Sequence, residues 1–286
     1  MPELPEVETI KRVLSAYVLD RIIVKADLNK PNMLRGQSPA QFLNGLSRQK
    51  IFGLSRRGKY LLINLKQHSL IVHLGMSGQI FASPGKSPFS SLPSQLPDKH
   101  THLVLSLSKG TNIFFRDPRM FGRYILLKKE NLPGYFSNLG PDPFSLSFSS
   151  SRLEKKLSAR SVSIKACLLD QKIVAGMGNI YADETLFQAG IHPAMPANQL
   201  TSEEIARIHK MIRNVLHKAV KAGGTSISDF QDPLQRAGDF QHHLLVYGRA
   251  GKQCKRCGAL IQKKRIAQRG THWCPYCQKL TEKFQL

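Results

Sequence analysis

Hydrophobic positions near the start of the chain follow helical spacing. In residues 5–19, apolar side chains recur on one side of a helix at Ile10, Val13, Leu14, Tyr17 and Val18. Pro5 suits a first helical turn, and Glu6 and Glu8 suit the positive end of a helix. Because the residue before a proline avoids helical geometry, residues 2–4 are predicted to form an extended arm that leads into the helix.

From about residue 22 to residue 128 the pattern changes to short runs of β-type composition, separated by Gly, Pro, Ser and Asn. The clearest runs are 60–65, 70–74, 79–82, 102–107, 112–115 and 124–127. Several short strands of this kind predict a sandwich or a barrel. The segment 83–98 is rich in proline and serine and is predicted to be a surface loop.

Helical signals return in the second half of the chain. The segment 150–170 is predicted to contain a basic helix that ends near Leu169, and another helix over 180–190 follows the Gly-Met-Gly-Asn turn at 176–179. The clearest helix begins at Thr201, whose hydroxyl can cap while Glu204 reaches back, and it ends at Gly223-Gly224. We therefore divide the chain into a β-sandwich domain (1–130), a linker (131–150), a helical domain with a loop at about 225–243 (151–246), and a cysteine module (247–286).

The charge of the chain indicates an anionic partner. There are 42 Lys and Arg residues against 19 Asp and Glu residues, a formal charge of +23. Such an excess favours a polyanion and makes binding depend on salt. The N-terminus is acidic where a signal peptide would be basic, and no stretch approaches the roughly 18–20 apolar residues of a membrane span. We expect a cytoplasmic protein.

Four of the five cysteines form two close pairs, Cys254-x2-Cys257 and Cys274-x2-Cys277. Each pair can form a tight turn that aims two thiolates inward, and together the pairs predict one structural zinc ion with no position open to water. A basic hairpin is predicted between them. This module alone indicates contact with nucleic acid or with protein. Cys167 stands apart and is predicted to lie in the core.

The N-terminal arm carries a second candidate chemistry. If Met1 is removed, Pro2 becomes the N-terminal residue and presents a secondary amine. A neutral amine of this kind can attack an electrophilic carbon and form a cationic iminium, and the carboxylate of Glu3 is placed to move protons. Taken alone, the arm is better explained as an ordinary proline-containing entry to a helix.

A series of motifs then supports the chemical interpretation. The chain opens with MPELPEVETIKR and continues with RRGKYLL at 56–62, VHLGMSG at 72–78, KHTHL at 99–103 and DPRMFGR at 117–123. Further matches lie at 168–193, 222–230, 246–258 and 268–277. Together they resemble the bacterial formamidopyrimidine-DNA glycosylase family over essentially the full chain. The resemblance implies an α+β multidomain fold, with a helix-flanked β-sandwich, a helix-two-turn-helix domain and a C-terminal zinc finger.

The resemblance also implies an activity and the residues that perform it. It implies a bifunctional DNA glycosylase/AP lyase of base excision repair, which removes 8-oxoguanine and formamidopyrimidines and then nicks the strand by β,δ-elimination. Pro2 is then the nucleophile at C1′ of the damaged nucleotide, and Glu3 is the main acid and base. Lys59 contacts phosphate and assists β-elimination, and Arg269 holds phosphate and assists δ-elimination.

The remaining sites implied by the resemblance concern damaged double-stranded DNA, bound by a monomer. The target base must leave the stack before C1′ can be reached, and inserted side chains fill the void. The void-filling residues are Met76, Arg119 and Phe121. His73 and Asn179 match phosphate ligands, and His100, Arg160 and Lys165 match further DNA contacts.

Some positions depart from the family, and two other functions stay open. Met120 stands where many relatives carry arginine, Asp239 stands where an aromatic residue is often found, and the loop 83–98 is unusually long. An enzyme of the endonuclease VIII type, acting on oxidised pyrimidines, would share the chemistry but usually has Gly in place of Leu4. A non-catalytic zinc-ribbon DNA-binding protein would leave the Pro2-Glu3 arm, Lys59 and Arg269 unexplained.

Overall fold

The computed structural model describes residues 2–83, 96–227 and 230–280. The chain divides into two compact units, the first formed by Met1–Ser137 and Val220–Gln241 and the second by Asn138–Ala219 and His242–Leu286. Among the described helices, none combines the length and the apolarity that crossing a membrane requires.

Within the described residues, the first unit contains a helix-flanked pair of antiparallel four-stranded sheets. Strands β2 (Gly53–Arg57), β3 (Tyr60–Asn64), β4 (His68–His73) and β8 (Arg123–Lys128) form one sheet in the order β2-β3-β4-β8. Strands β1 (Ile23–Leu28), β5 (Gln79–Ser83), β6 (Thr101–Leu107) and β7 (Asn112–Arg116) form the other in the order β1-β6-β7-β5. The predicted strand runs and the β-sandwich are confirmed.

The core of this unit is formed by alternate residues of the strands, whose side chains lie on one face of each sheet. Leu61 and Ile63 of β3, and Leu103 and Leu105 of β6, are fully buried in one continuous apolar cluster. Side chains two residues apart lie on the same face of a strand, so each sheet contributes one face to this cluster. Helix α1 (Leu4–Val18) contributes Val7, Ile10, Leu14 and Val18 to the same cluster.

Two local features of the first unit differ from the sequence expectation. Helix α2 (Pro39–Leu46) interrupts the stretch that was expected to contain β-type runs. Ser38 caps it, because Ser38 and Gln41 exchange hydrogen bonds at its start, and Phe42 and Leu46 are buried. The segment 220–241 belongs to the first unit, although the sequence groups it with the helical domain. Phe230 packs against the core of the first unit, and the Ala82 N–H donates to the Pro233 carbonyl at 3.0 Å.

The second unit is mainly helical. A short helix α3 (Leu132–Tyr135) lies near the end of the first unit's N-terminal segment, and the second unit contains α4 (Ser150–Leu157), α5 (Ile164–Leu169) and α6 (Asn179–Ala189). Helix α7 (Ser202–Lys221) starts as predicted, since Thr201 and Glu204 exchange hydrogen bonds of 3.2 and 2.9 Å. The strands β9 (Gln262–Ile266) and β10 (Arg269–Trp273) form the hairpin that was predicted between the cysteine pairs.

The segment 150–170 contains two helices, α4 and α5, rather than one, and the second ends at Leu169 as expected. Ser163 has extended backbone geometry, and its hydroxyl accepts the Ala166 N–H at 3.3 Å, which caps α5. Ser163 also pairs with Pro196 in an isolated β-bridge. A residue held in a bridge on one side and capping a helix on the other cannot continue the preceding helix.

Candidate functional site

The N-terminal arm is anchored by a buried carboxylate. Pro2 and Glu3 precede the first helical turn, and both are buried. Glu6 accepts hydrogen bonds from the backbone N–H of Glu3 and from that of Thr225, each at 2.8 Å. Gly224 lies against the same carboxylate, and a Cβ at this position would come within 2.9 Å of Glu6 Oε1. Glu6 therefore links the arm to the segment 220–241 of the same unit. The spacing of Glu3 and Glu6 carries a capping signal, but nothing local indicates Thr225.

Lys59 lies at the tight turn between β2 and β3. Gly58, with φ of +55°, supplies the left-handed backbone that the turn requires. Lys59 itself is largely buried, at 8% exposure. Strand β2 packs against helix α1, so the turn and the arm belong to neighbouring elements of one unit.

His73 ends β4, and its ring lies 4.8 Å from the ring of Tyr60. Its Nδ1 atom accepts the Gly75 N–H at 3.1 Å, so in the neutral ring the proton is carried by Nε2. Burial, with the charges of Lys59 and Arg123, lowers the pKa of His73 to about 4. The residue is thus a neutral hydrogen-bond donor at physiological pH, which suits a phosphate ligand.

The three predicted void-filling residues lie on two neighbouring loops of the first unit. Met76 and Phe121 are large apolar side chains that are 44% and 46% exposed. Arg119 is exposed, and its guanidinium carbon lies 4.8 Å from the centroid of the Phe121 ring. Exposed apolar side chains grouped in this way indicate a contact surface.

A buried carboxylate joins the two loops. Asp117 accepts the Ser77 hydroxyl at 2.6 Å, and it also accepts the N–H groups of Arg119 at 3.2 Å and Gly122 at 2.7 Å. The loops also approach closely, because a Cβ on Gly75 would lie 2.6 Å from the backbone of Phe121. Sequence reasoning gave no role to Asp117. An aspartate two residues before Arg119 is typical of a local turn, whereas its bond to Ser77 depends on the tertiary fold.

His100 and Met120 each form a backbone hydrogen bond with Asp117. The His100 carbonyl accepts the Asp117 N–H at 2.9 Å, and the His100 side chain is half-buried. Met120, the departure from the family, is 40% exposed and has φ of +54°. Residues 84–95 of the long loop, another departure, lie outside the described residues. Asp239 donates its backbone N–H to the Ala222 carbonyl.

In the second unit, Lys165, whose position matches a DNA contact of the family, is buried. Its side chain has no exposure, and its ammonium donates to Asp183 Oδ1 at 2.6 Å and to the Thr271 hydroxyl at 2.7 Å. Asp183 in turn accepts the His272 N–H at 2.9 Å. A buried ammonium requires such a partner. Lys165 therefore supports the β9–β10 hairpin, which carries Arg269, through its hydrogen bond to Thr271.

Asn179, Arg160 and Arg269 also belong to the second unit. Asn179 is the first residue of α6, and its amide donates to the Gly270 carbonyl at 2.9 Å. Arg269 begins β10 and is exposed, after a turn in which Ala267 and Gln268 both have positive φ. Arg160 is 46% exposed and lies 3.8 Å from Asp170, a surface pair that contributes little to stability.

The four clustered cysteines have the geometry of a tetrahedral thiolate site. Their sulfur atoms all lie within 4.8 Å of one another, with 3.4 Å between those of Cys257 and Cys274 and 4.0 Å between those of Cys254 and Cys277. Zinc–sulfur bonds of about 2.3 Å in a tetrahedron place the sulfurs about 3.8 Å apart. The Arg256 N–H donates to the sulfur of Cys254, as is common beside metal-bound thiolates. The residues fit one structural zinc ion.

Glu184 fixes the approach to this module, a role that the sequence did not suggest. It is fully buried in α6, and its carboxylate accepts the N–H groups of Leu245, Val246 and Tyr247 at 2.9–3.0 Å. Burial raises its pKa, and these hydrogen bonds work in the opposite direction. The backbone that leads to Cys254 is thereby held at α6.

Comparison with known proteins agrees with this arrangement. Models of the formamidopyrimidine-DNA glycosylase N-terminal domain, of its H2TH domain and of the zinc finger found in FPG and IleRS match residues 1–124, 139–231 and 251–280. The formamidopyrimidine-DNA glycosylase of Desulfitobacterium hafniense is 44% identical over 281 residues, 97% of this chain and all of that relative. That of Bacillus subtilis is 38% identical over 97% of this chain and 99% of the relative.

Solved structures give the same result. A Lactococcus lactis FPG mutant in complex with Fapy-dG containing DNA has a TM-score of 0.89 and 38% identity, and it covers 98% of this chain and 100% of its own. The L. lactis enzyme in complex with abasic-site DNA has a TM-score of 0.89 and 37% identity, over 97% of this chain and 100% of its own. The zinc finger match confirms the structural zinc ion inferred from the four cysteines. Fold, metal centre and full-length similarity agree, and the chain belongs to the formamidopyrimidine-DNA glycosylase family.

Proposed function

We propose that the protein is a bifunctional DNA glycosylase/AP lyase that removes 8-oxoguanine and formamidopyrimidines from double-stranded DNA and then nicks the strand. The observation that carries the proposal is the Pro2-Glu3 arm, held at the start of α1 by Glu6 in a chain of this family. Relatives are named formamidopyrimidine-DNA glycosylases, and the L. lactis enzyme binds DNA containing Fapy-dG or an abasic site.

The first chemical step uses the secondary amine that Pro2 presents once Met1 is removed. Its nitrogen lone pair forms a bond to C1′ as the glycosidic bond breaks. The base leaves with the electron pair of the glycosidic bond and takes a proton from solvent. Glu3 accepts the proton that the nitrogen loses and passes it to O4′ as the sugar ring opens. The product is a cationic iminium between Pro2 and C1′.

Strand cleavage follows from the electron demand of the iminium. Loss of the C2′ proton gives an enamine, whose electron pair expels the phosphate at C3′. Loss of the C4′ proton then expels the phosphate at C5′, and water hydrolyses the remaining iminium and restores Pro2. The ammonium of Lys59 and the guanidinium of Arg269 stabilise the departing phosphates.

Access to C1′ requires extrusion of the damaged nucleotide. Met76, Phe121 and Arg119 insert into the duplex and fill the void, which offsets an unstacking cost of a few kcal/mol. His73 and Asn179 hold the phosphates of the damaged strand, and His100 and Arg160 add contacts along it. The formal charge of +23 makes these contacts sensitive to salt. We further propose that the protein acts as a monomer in the bacterial cytosol.

Oxidised pyrimidines are the second candidate substrates. One L. lactis complex contains DNA with an oxidised pyrimidine, so a protein of this fold binds such a lesion. Leu4, where enzymes of the endonuclease VIII type usually have Gly, favours purines. A comparison of excision from duplexes with 8-oxoguanine and with thymine glycol separates the two. Faster excision of 8-oxoguanine supports the proposal, and faster excision of thymine glycol reverses the assignment.

A gel assay on an 8-oxoguanine duplex tests the activity itself. The proposal predicts a strand break with phosphate at both ends of the gap, the product of β,δ-elimination. Tight binding with no cleavage would instead identify a zinc-ribbon DNA-binding protein. A released base with an intact abasic strand would identify a glycosylase without lyase activity.

A further inference from the structure

We propose that Arg56 is a positioning residue for Lys59 and that Glu8 holds it in place. The inference rests on the proposed function, in which Lys59 assists strand cleavage. It assigns to Arg56 a selective effect on the elimination step, as distinct from a general effect on folding or on DNA affinity.

The geometry of Arg56 connects two elements. Its side chain extends from β2 and is only 6% exposed. The guanidinium donates through Nε to Glu8 Oε2 at 3.0 Å and through Nη1 to the Gly58 carbonyl at 3.1 Å. Glu8 lies on α1, the helix that begins at the Pro2-Glu3 arm, and Gly58 directly precedes Lys59.

The bond to Gly58 acts on Lys59 through the peptide group. The Gly58 carbonyl and the Lys59 N–H belong to the same planar unit, so fixing the oxygen fixes the direction in which the chain enters Lys59. Gly58 has φ of +55°, and such a glycine has more conformational freedom than any other residue. A hydrogen bond to its carbonyl selects one conformation of the turn.

Glu8 is suited to hold a guanidinium. It is 7% exposed, and its Oε1 atom also accepts from Lys11 at 2.7 Å and from Arg12 at 3.1 Å. Burial raises the pKa of Glu8, but hydrogen bonds with Lys11 and Arg56 outweigh burial, so the pKa lies below its ordinary value. The carboxylate is therefore ionised at neutral pH.

An arginine is required for this arrangement. Its planar fork can bond Glu8 and the Gly58 carbonyl in fixed directions at once, whereas a lysine ammonium has no such geometry. A buried ion pair is weak evidence for stability, and its better-supported use is to specify one arrangement. Here that arrangement fixes helix α1, which follows the Pro2-Glu3 arm, relative to the turn that carries Lys59.

The test separates the two chemical steps in the full-length, zinc-loaded protein. Arg56→Lys and wild type are compared in single turnovers on an 8-oxoguanine duplex. Base release is read after alkali, strand nicking without alkali, and the iminium by borohydride trapping. We expect Arg56→Lys to slow nicking about 10- to 100-fold relative to base release, with a larger trapped fraction.

Two controls test whether the effect of Arg56→Lys on nicking passes through Lys59. Arg12→Ala removes a partner of the same Glu8 carboxylate that does not bond the Gly58 carbonyl, and it should leave the ratio of nicking to base release unchanged. In a Lys59→Ala background, Arg56→Lys should slow nicking no further, because the effect passes through Lys59.

The outcomes distinguish failure of the proposed function from failure of the positioning role of Arg56 alone. If wild type forms no trapped complex and no nick, the proposed function fails and the inference falls with it. If wild type traps and nicks but Arg56→Lys slows both steps equally, or slows neither, the positioning role alone is wrong. Additive loss in the double variant would also overturn it, since Arg56 would then act independently of Lys59.

Discussion

Asp117 accepts the hydroxyl of Ser77 at 2.6 Å, and this bond ties the loop that presents Met76 to the loop that presents Phe121. Both loops carry side chains proposed to enter the DNA duplex, and both depend on one carboxylate that is 1% exposed. The surface proposed to replace the extruded base is thus supported by this buried carboxylate, and its shape should depend on Asp117.

Replacing Asp117 should impair extrusion more than chemistry. Asp117→Ala removes the acceptor for the partly buried donors of Ser77 and Arg119 and for the buried Gly122 N–H, and leaving that buried donor unsatisfied costs about 1–3 kcal/mol. We expect slower base release from an 8-oxoguanine duplex and nearly normal cleavage of a preformed abasic site in single-stranded DNA.

Ser77→Ala is the matched control for Asp117, since it removes one of these bonds and leaves the others. Its effect on base release should be smaller than that of Asp117→Ala. Equal loss on the duplex and on the single-stranded abasic substrate would show that Asp117 does not act through the two loops.

The Lys165–Asp183 pair should stabilise the hairpin that carries Arg269. Lys165→Met leaves a buried carboxylate without its cation, and breaking such a pair costs about 3–5 kcal/mol. We expect a lower Tm and weaker DNA binding. Adding Asp183→Leu should recover part of the Tm, because the pair is then replaced by apolar groups. A Lys165→Met protein with normal Tm and reduced affinity would instead indicate direct contact with DNA.

His73 gives a pH dependence with a definite sign. Its pKa is about 4 in the folded protein against an ordinary value of 6.5, so the unfolded chain binds the proton more readily. The stability that it contributes is present above pH 6.5 and is lost as the pH falls from 6.5 towards 4. His73→Gln keeps a neutral donor and should lose less Tm than wild type between pH 7 and pH 4.5. An equal loss in both proteins would show that His73 does not contribute.

Removal of zinc should weaken DNA binding and spare the amine. Cys257→Ser breaks the tetrahedral set whose ligands flank the hairpin of Arg269, so we expect DNA affinity to fall at least tenfold. At saturating DNA, borohydride trapping should still occur, because Pro2 lies in the other unit. Full affinity in a protein shown to lack zinc would contradict this prediction.

Sequence patterns predicted features that depend on neighbours in the chain. The two-residue alternation of apolar positions along β3 places Leu61 and Ile63 on the buried face of the strand. The capping pair Thr201 and Glu204 indicates the start of α7, and the spacing of the cysteines predicts the zinc site. Helix α2 was missed because its eight residues lie within a region of β-type runs, although Ser38 and Gln41 carry a capping signal. The break before α5 depends on the bridge between Ser163 and Pro196, which no local pattern records.

The residues that support the candidate site were also missed, because their hydrogen bonds join positions that are far apart in the sequence. Glu6 is recognisable as a helix-start residue, but its bond to Thr225 spans 219 positions. Asp117 and Ser77 are 40 positions apart, and Arg56 and Glu8 are 48 apart. Lys165 was expected to contact DNA because its position matches a DNA contact of the family, and only the fold shows that its ammonium bonds to Asp183 and Thr271.

The most direct test of the central claim is to identify the amino acid that bonds to the sugar. The protein is reacted with an 8-oxoguanine duplex in the presence of borohydride, digested, and the adduct is located by mass spectrometry. We expect a deoxyribose remnant on the nitrogen of Pro2 in chains that lack Met1, and no adduct in chains that retain Met1 under the same conditions. An adduct on a lysine, or full activity in chains that retain Met1, would contradict the claim.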